Sequence, residues 1–190
     1  EEGDEVITTS ITFAASANSV LYQNATPVFA DINPNTYNID PESIEEKITD
    51  KTKAIIPVHY TGQPCEMDKI MKIAAEYNLT VIADGAHAVG AEYKGQKIGS
   101  IADMTTFSFH PVKHITTGEG GMITTNDKEL YEKLCKLRTH GITKNEEEYE
   151  NSIDFAVGAT QNSTLITQHS TLNTKHSKLK TQNSKLKTPK

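Results

Sequence analysis

Cysteine and long apolar runs are both scarce in this sequence. The chain of 190 residues contains only two cysteines, Cys65 and Cys135, which show neither the close spacing of a metal motif nor the density of a disulfide framework. This usage fits a reducing compartment, and we predict a cytoplasmic protein without a bound metal. No apolar run approaches the length that spans a bilayer, so the sequence does not predict a membrane protein.

Acidic residues are nearly missing from the end of the chain. Residues 151–190 contain a single acid, Asp154, and six lysines, whereas residues 1–150 contain 24 acidic and 13 basic side chains. So sharp a change of sign predicts two segments of different origin. The acidic body argues against nucleic-acid binding as the main task of the protein.

A seven-residue repeat begins at Thr164 and reads TLITQHS, TLNTKHS, KLKTQNS and KLKTPK. A coiled coil needs two apolar positions in each heptad, but only one is constant here: Leu165, Leu172, Leu179 and Leu186. The remaining polar residues bury too little surface to offset the entropy of ordering. We therefore interpret 164–190 as a low-complexity tail, 144–163 as a linker and all of 151–190 as disordered.

Short β-rich runs alternate with helical patterns as far as about residue 140. The runs that predict strands are Glu5–Thr9, Pro27–Ile32, Ala54–His59, Thr80–Ala83, Thr105–Phe109 and Met122–Thr125. The stretches that predict helices are Ile11–Gln23, Ser43–Thr49 after an Asp40-Pro41 start signal, Cys65–Asn78 and Asp127–Leu137. This alternation predicts an α/β fold with a mainly parallel sheet. Ligands of such sheets bind beyond the carboxyl ends of the strands, so the residues that follow each run are the candidates.

The stretch TTFSFHPVKHITTGEGG, from Thr105 to Gly121, places Lys113 just beyond a predicted strand. An arbitrary lysine is usually a solvated surface charge. This one is flanked by two aromatics, two histidines, a proline and a glycine-rich turn. A lysine that forms a Schiff base needs partly desolvated, electropositive surroundings that favour its neutral amine. The context therefore favours a reactive lysine.

The stretch TVIADGAHAVGAEY ends an apolar strand in Asp84, and His87 follows three residues later. A carboxylate at a strand end can pair with a pyridinium nitrogen and keep the ring protonated as an electron sink. The alternative is that Asp84 caps the next helix. We expect Gly85 to loosen the turn after the strand. Aspartate at one strand exit, with serine and lysine at a neighbouring one, is a stronger signal than either alone.

At this point the chain resembles a known family. Residues 3–142 are similar to the DegT/DnrJ/StrS family of pyridoxal-phosphate (PLP)-dependent sugar aminotransferases, which have the aspartate-aminotransferase fold. The motifs that carry the resemblance are GDEVITTSITFAASANSV, TPVFADI, TKAIIPVHYTGQP, DGAHAVGAEYKGQKIGS, FSFHPVKHITTGEGG and RTHGI. Within the family, FAASAN, HYTGQPCEMD and RTHGIT most resemble the transaminases of pseudaminic acid synthesis. The implied architecture is the PLP fold type I large domain, here residues 1–143, with helices on both faces of the sheet.

The resemblance implies a role for five residues. Lys113 matches the lysine that binds the cofactor covalently and later shuttles a proton. Asp84 matches the carboxylate on the pyridine nitrogen, and His87 matches the residue beside the ring near its phenolic oxygen. Ser108 matches the hydroxyl on the cofactor phosphate. Phe13 matches an aromatic that stacks on the ring, with a core aromatic as the open alternative. We interpret three further histidines as structural: His59, His110 and His114.

The resemblance also implies the reaction and its partners. The expected reaction is amino transfer from L-glutamate to C4 of a UDP-linked 4-keto-6-deoxy sugar in a homodimer. The family uses segments before Glu1 and after about Thr143 to complete its site, so we expect this chain alone to be a truncated, inactive form. The alternatives are a non-catalytic remnant and a PLP-dependent 3-dehydratase of the same family, which has histidine at the lysine position. A dinucleotide enzyme is disfavoured because no G-x-G-x-x-G follows a strand.

Overall fold

The computed structural model describes residues 1–142. The predicted linker 144–163, the predicted repeat tail 164–190 and the disorder predicted for them lie outside the described residues. Glu1–Tyr131 forms one compact unit, which contains every candidate site residue. Among the described residues, no helix is long and apolar enough to cross a membrane.

The sheet has six strands in the order β2-β1-β3-β4-β7-β8, and a separate hairpin pairs β5 with β6. Every neighbouring pair in the large sheet is parallel except β7 and β8, which run antiparallel. The α/β fold with a mainly parallel sheet is therefore confirmed. The strands are β1 (Glu5–Thr9), β2 (Thr26–Ala30), β3 (Thr52–Ile56), β4 (Thr80–Asp84), β5 (Glu92–Tyr93), β6 (Gln96–Lys97), β7 (Met104–Ser108) and β8 (Gly121–Thr124).

Four α-helices lie within residues 1–142, close to the predicted stretches and mostly shorter than predicted. They are α1 (Ala15–Leu21), α2 (Pro41–Glu46), α3 (Met67–Tyr77) and α4 (Lys128–Arg138). The Asp40-Pro41 signal is confirmed, because the Asp40 carboxylate accepts a hydrogen bond from the backbone of Glu42 at 3.0 Å. Helix α3 ends where Asn78 adopts a left-handed backbone, with φ 53°.

Helices cover both faces of the sheet because successive strand side chains point in opposite directions. One apolar cluster joins alternate strand residues to helices α2 and α3; it includes Ile7, Ile55, Val81, Ile44 and Ile70. The other cluster joins the intervening strand residues to α1; it includes Val6, Ile56, Ile82 and Val20. Burial on both faces explains why the strands are apolar runs without a polar side.

The connection between β4 and β7 contains a hairpin that periodicity did not predict. Its strands β5 and β6 have two residues each, too short for any pattern. The turn is formed by Lys94 and Gly95, whose φ angles of 49° and 80° are both left-handed. This hairpin delivers the chain to β7, which pairs with β4 in parallel and sets Asp84 opposite Thr106.

Candidate active site

The carboxyl ends of β1, β3, β4 and β7 meet at one edge of the sheet, since these strands are parallel. The predicted site residues lie at or beyond these ends: Phe13 after β1, Asp84 ending β4, His87 after it, Ser108 ending β7 and Lys113 after it. This is the edge at which ligands of parallel sheets bind.

Lys113 and His87 are brought into direct contact. The Lys113 Nζ atom lies 2.9 Å from His87 Nε2, although 26 residues separate them. The turn after β7 aims the lysine back over the sheet edge, because the Lys113 backbone donates to the carbonyl of His110 at 2.9 Å. Both side chains are half-buried. The half-buried amine therefore has a hydrogen-bond partner, the imidazole nitrogen of His87, beyond the carboxyl ends of β4 and β7.

The surroundings of His87 favour its neutral imidazole. Burial, followed by the positive charge of Lys113, lowers the pKa of His87, while Asp84 acts in the opposite direction and His114 adds to the lowering. The rings of His87 and His114 meet edge to face at 6.3 Å. A neutral ring can accept a hydrogen bond at Nε2 and leave the lysine free to donate.

The Asp84 carboxylate is held at both oxygens. Its Oδ1 accepts from the backbone of Ala86 at 3.0 Å, and its Oδ2 accepts from the hydroxyl of Ser16 at 3.0 Å. The Ser16 hydroxyl lies 2.9 Å from that of Thr12. The alternative that Asp84 caps a helix is wrong, because a turn and then β5 follow β4. Sequence analysis missed Ser16 and Thr12, although both lie beyond the carboxyl end of β1, where it directed the search.

Two glycines allow the close packing around these turns. A Cβ at Gly85 would lie 3.0 Å from side-chain carbons of Phe107 and Thr105, so a larger residue would be crowded here, while the looser turn expected from Gly85 stays a prediction. Its absent side chain lets the turn pack against β7. Gly62 has φ +92°, and a Cβ there would lie 2.7 Å from the backbone oxygen of His87. The loop after β3 thus supports the backbone of His87.

His59 is a buried histidine whose backbone is hydrogen-bonded to that of Asp84. It is 1% exposed, its backbone donates to the Asp84 carbonyl at 3.0 Å, and its Nδ1 accepts from the backbone of Cys65 at 3.1 Å. Burial lowers the pKa of His59 to about 4, with Asp84 acting in the opposite direction. The ring is therefore neutral near pH 7 and carries its hydrogen on Nε2, which has no partner among the described residues.

Ser108 and Phe13 stand apart from the other three candidates. The Ser108 hydroxyl accepts only a long local bond, 3.4 Å from the backbone of His110, and no hydrogen bond within residues 1–142 joins it to Lys113. The Phe13 ring is 80% exposed, which excludes a core position for it within the described residues. Ser108 ends β7 and Phe13 follows β1, so both lie at the carboxyl-end edge of the sheet.

The chemistry of this donor set fits PLP. A primary amine, an imidazole, a carboxylate and hydroxyl groups stand at neighbouring strand exits, and PLP offers an aldehyde, a phenolic oxygen, a ring nitrogen and a phosphate for them to bind. The carboxylate already has one donor on each oxygen, with acceptor capacity left over. Within residues 1–142, no three His, Cys, Asp or Glu side chains are grouped where they could hold a metal ion.

Comparison with known proteins identifies the family of this chain. The sequence matches the DegT/DnrJ/EryC1/StrS aminotransferase family over residues 1–183. The chain belongs to this family. Members of the DegT family are PLP-dependent aminotransferases, and one similar solved protein, Spr1654 of Streptococcus pneumoniae, is known in PLP and PMP forms.

DegT-family relatives are similar over the body of the chain. Protein MJ1066 of Methanocaldococcus jannaschii is 61% identical over 144 residues, which cover 76% of this chain and 37% of that protein. GDP-perosamine synthase of Caulobacter vibrioides is 56% identical over 143 residues, which cover 75% of this chain and 38% of the enzyme. The chain therefore spans less than half the length of these relatives.

Solved DegT-family structures share the fold. An aminotransferase from Psychrobacter cryohalolentis is 51% identical with a TM-score of 0.74, covering 75% of this chain and 36% of that one. The Helicobacter pylori aminotransferase PseC, involved in pseudaminic acid biosynthesis, is 43% identical with a TM-score of 0.73, covering 76% of this chain and 39% of that one.

Proposed function

We propose that this chain carries the cofactor-binding part of an aminotransferase that moves an amino group from L-glutamate to C4 of a UDP-linked 4-keto-6-deoxy sugar. The observation that carries the proposal is the 2.9 Å contact between Lys113 Nζ and His87 Nε2, at a strand exit beside Asp84. The similarity to PseC supports the choice of sugar. The expected complete enzyme is a homodimer that works in the cytoplasm.

Each side chain has a task that its chemistry allows. When bound, PLP supplies an electron-withdrawing ring that stabilises negative charge on the carbon beside the reacting nitrogen. Lys113 Nζ holds the cofactor and then takes and returns the proton at the substrate carbon. Asp84 holds a proton on the ring nitrogen. His87 accepts a hydrogen bond from Lys113 and borders the phenolic oxygen.

Two further positions, the half-buried Ser108 and the exposed Phe13, complete the proposed site. The Ser108 hydroxyl binds a phosphate oxygen, and the Phe13 ring covers one face of the cofactor. Stacking of this kind excludes water from that face and orients the ring. An isolated hydroxyl is a weak anchor for a dianion, for which proteins commonly use a helix N-terminus with free N–H groups. We therefore propose that the 190-residue chain alone holds PLP weakly and does not turn over.

The dehydratase alternative is disfavoured by the position of the lysine. Lys113 contacts His87 directly, whereas the exposed ring of His114 only meets His87 edge to face at 6.3 Å. A dehydratase of the family places histidine where Lys113 stands. Lysine at this position therefore supports transamination over dehydration.

The test uses a chimera of Helicobacter pylori PseC in which residues 1–142 of this chain replace the aligned segment. We expect the chimera to aminate a UDP-4-keto-6-deoxy-N-acetylhexosamine in a glutamate-dependent reaction. Chromatography and mass spectrometry of the product measure this activity. The same chimera with Lys113→Ala is the control and should give none. A folded chimera that binds PLP but leaves the sugar unchanged would contradict the sugar assignment. One that binds no PLP would contradict the proposal as a whole.

A further inference from the structure

We infer that Ser16, supported by Thr12, is a positioning residue that orients the Asp84 carboxylate for the cofactor ring; the inference rests on the proposed function. The Ser16 hydroxyl donates to Asp84 Oδ2 at 3.0 Å, across 68 residues of sequence. The two residues belong to different elements, because Ser16 lies in the first turn of α1 and Asp84 ends β4.

The direction of this hydrogen-bond chain follows from the chemistry of its members. An ionised carboxylate only accepts, so the single hydrogen of the Ser16 hydroxyl is committed to Asp84. The Ser16 oxygen is then the acceptor in its 2.9 Å contact with Thr12, whose hydroxyl must donate. Thr12 therefore donates to Ser16, and Ser16 donates to Asp84. Hydrogen bonds linked in this way polarise and strengthen one another.

The chain fixes the plane of the carboxylate. With Ala86 donating to Oδ1 and Ser16 to Oδ2, rotation of the carboxylate would break a bond at each oxygen. Each oxygen retains capacity to accept one more donor, which is what a protonated ring nitrogen would be. Loss of Ser16 would leave a carboxylate anchored on one side only.

Ser19 shows what a serine of α1 does without such a role. Its hydroxyl donates to the backbone carbonyl of Ser16, one turn back in the same helix, at 2.9 Å. Ser16 is only 6% exposed and instead directs its hydroxyl to a charged group of another element. Ser19→Ala is therefore a matched control for Ser16→Ala: the same helix, the same atom removed, and no link to Asp84.

The first experiment uses the 190-residue chain without cofactor. Amide hydrogen exchange at Ala86 reports on Asp84, because the Ala86 N–H donates to Oδ1. We expect faster exchange at Ala86 in Ser16→Ala, since the carboxylate gains freedom to rotate, and an unchanged rate in Ser19→Ala. Equal Ala86 exchange rates in the two variants would overturn the inference whether or not the protein is an aminotransferase.

The second experiment adds PLP to the PseC chimera, fixes the lysine adduct with borohydride and measures the labelled fraction of Lys113 by peptide mass spectrometry. We expect Ser16→Ala to lower labelling about tenfold, as loss of a hydrogen bond to a charged group commonly does. In an Asp84→Ala background, Ser16→Ala should cause no further loss, because Ser16 acts through Asp84. Thr12→Val should lower labelling, and Thr12→Ser, which keeps the hydroxyl, should not.

The outcomes separate the inference from the proposed function. If the losses from Ser16→Ala and Asp84→Ala add, Ser16 does not act through Asp84 and the inference is wrong. If Asp84→Ala leaves Lys113 labelling unchanged, the role proposed for Asp84 falls instead. If Lys113 is labelled no more than other lysines, the proposed function fails, and the Ala86 exchange rates still decide whether Ser16 holds the carboxylate.

Discussion

The side-chain nitrogen of Lys113 lies 2.9 Å from Nε2 of His87. A charged lysine has only donors, so Nε2 must be the acceptor and the ring hydrogen must be on Nδ1. Burial and the charge of Lys113 lower the pKa of His87 and favour this neutral form. Lys113 is thus held by an uncharged acceptor. A neutral imidazole stabilises the protonated amine less than a carboxylate would.

Replacing Lys113 should remove specific covalent PLP binding. We expect Lys113→Ala to abolish the borohydride-fixed adduct on the peptide that spans residues 105–121, because no other amine in the described residues stands at this strand exit. Lys72→Ala, which removes an exposed lysine of α3, is the control and should leave the adduct intact. Peptide mass spectrometry provides the measurement. Absence of the adduct from this peptide in the unsubstituted protein, with an adduct on another lysine instead, would refute the assignment.

Neutralising Asp84 should slow turnover with little change in fold. In the PseC chimera, we expect Asp84→Asn to lower kcat about a hundredfold or more, as loss of a preorganised electrostatic partner commonly does. The amide oxygen can still accept from the backbone of Ala86, so the thermal unfolding midpoint should move little. Steady-state kinetics and calorimetry measure the two effects. A near-normal kcat would show that another group holds the ring proton.

A methyl group at Gly62 should disturb the backbone of His87. Gly62→Ala and Gly90→Ala share the cost of a left-handed backbone, about 1 kcal/mol, since their φ angles are +92° and +83°. Only at Gly62 would the new Cβ meet another atom, the His87 oxygen at 2.7 Å, whereas Gly90 has nothing within 4 Å. We expect Gly62→Ala to be less stable than Gly90→Ala by about 1–3 kcal/mol in urea unfolding. Equal losses would mean that the loop yields freely.

Stability should depend on pH through His59. Unfolded histidine binds its proton near pH 6.5, but folded His59 does so only near pH 4, because of burial. Between these two pH values the unfolded state binds more protons, so the free energy of unfolding rises with pH. The stabilising contribution of neutral His59 is fully present above pH 6.5. The difference corresponds to at most about 3 kcal/mol.

Urea unfolding at several pH values between 4 and 7 measures this effect. His59→Gln should flatten the dependence in that window, because it removes the buried titrating ring. His140→Ala, which removes an exposed ring, is the control and should retain the slope. If the free energy of unfolding depends on pH equally in the wild type and in His59→Gln, other groups cause the dependence.

Local patterns predicted the fold well because its strands are buried on both faces and its helices carry clear signals. Asp40 capped α2 as expected, and β4 ended at Asp84, one residue from the prediction. The same local reasoning could not orient β8, because an apolar run reads alike in parallel and antiparallel strands. The β5–β6 hairpin escaped because its strands are shorter than one period of any pattern.

The site was predicted in part for similar reasons. Lys113 was recognised as a candidate from its neighbouring residues and His87 from the family resemblance, but their contact depends on how two turns approach each other. The hydrogen bond from Ser16 to Asp84 joins two different elements that are 68 residues apart in sequence, so no local spacing of residues could predict it. The tight packing at Gly85 could not be predicted, because the carbons that would crowd a side chain there belong to β7, which the local sequence does not contain.

The pairing of Asp84 with Thr106 also determines where the chain tolerates added length. One residue inserted within β4 or β7 would turn the following side chains to the opposite face of the sheet and carry Asp84 or Ser108 away from the ligand edge. The tip of the hairpin at Lys94 and Gly95 is exposed and outside that register. A peptide tag or a reporter domain inserted there would leave the spacing of the reactive groups unchanged.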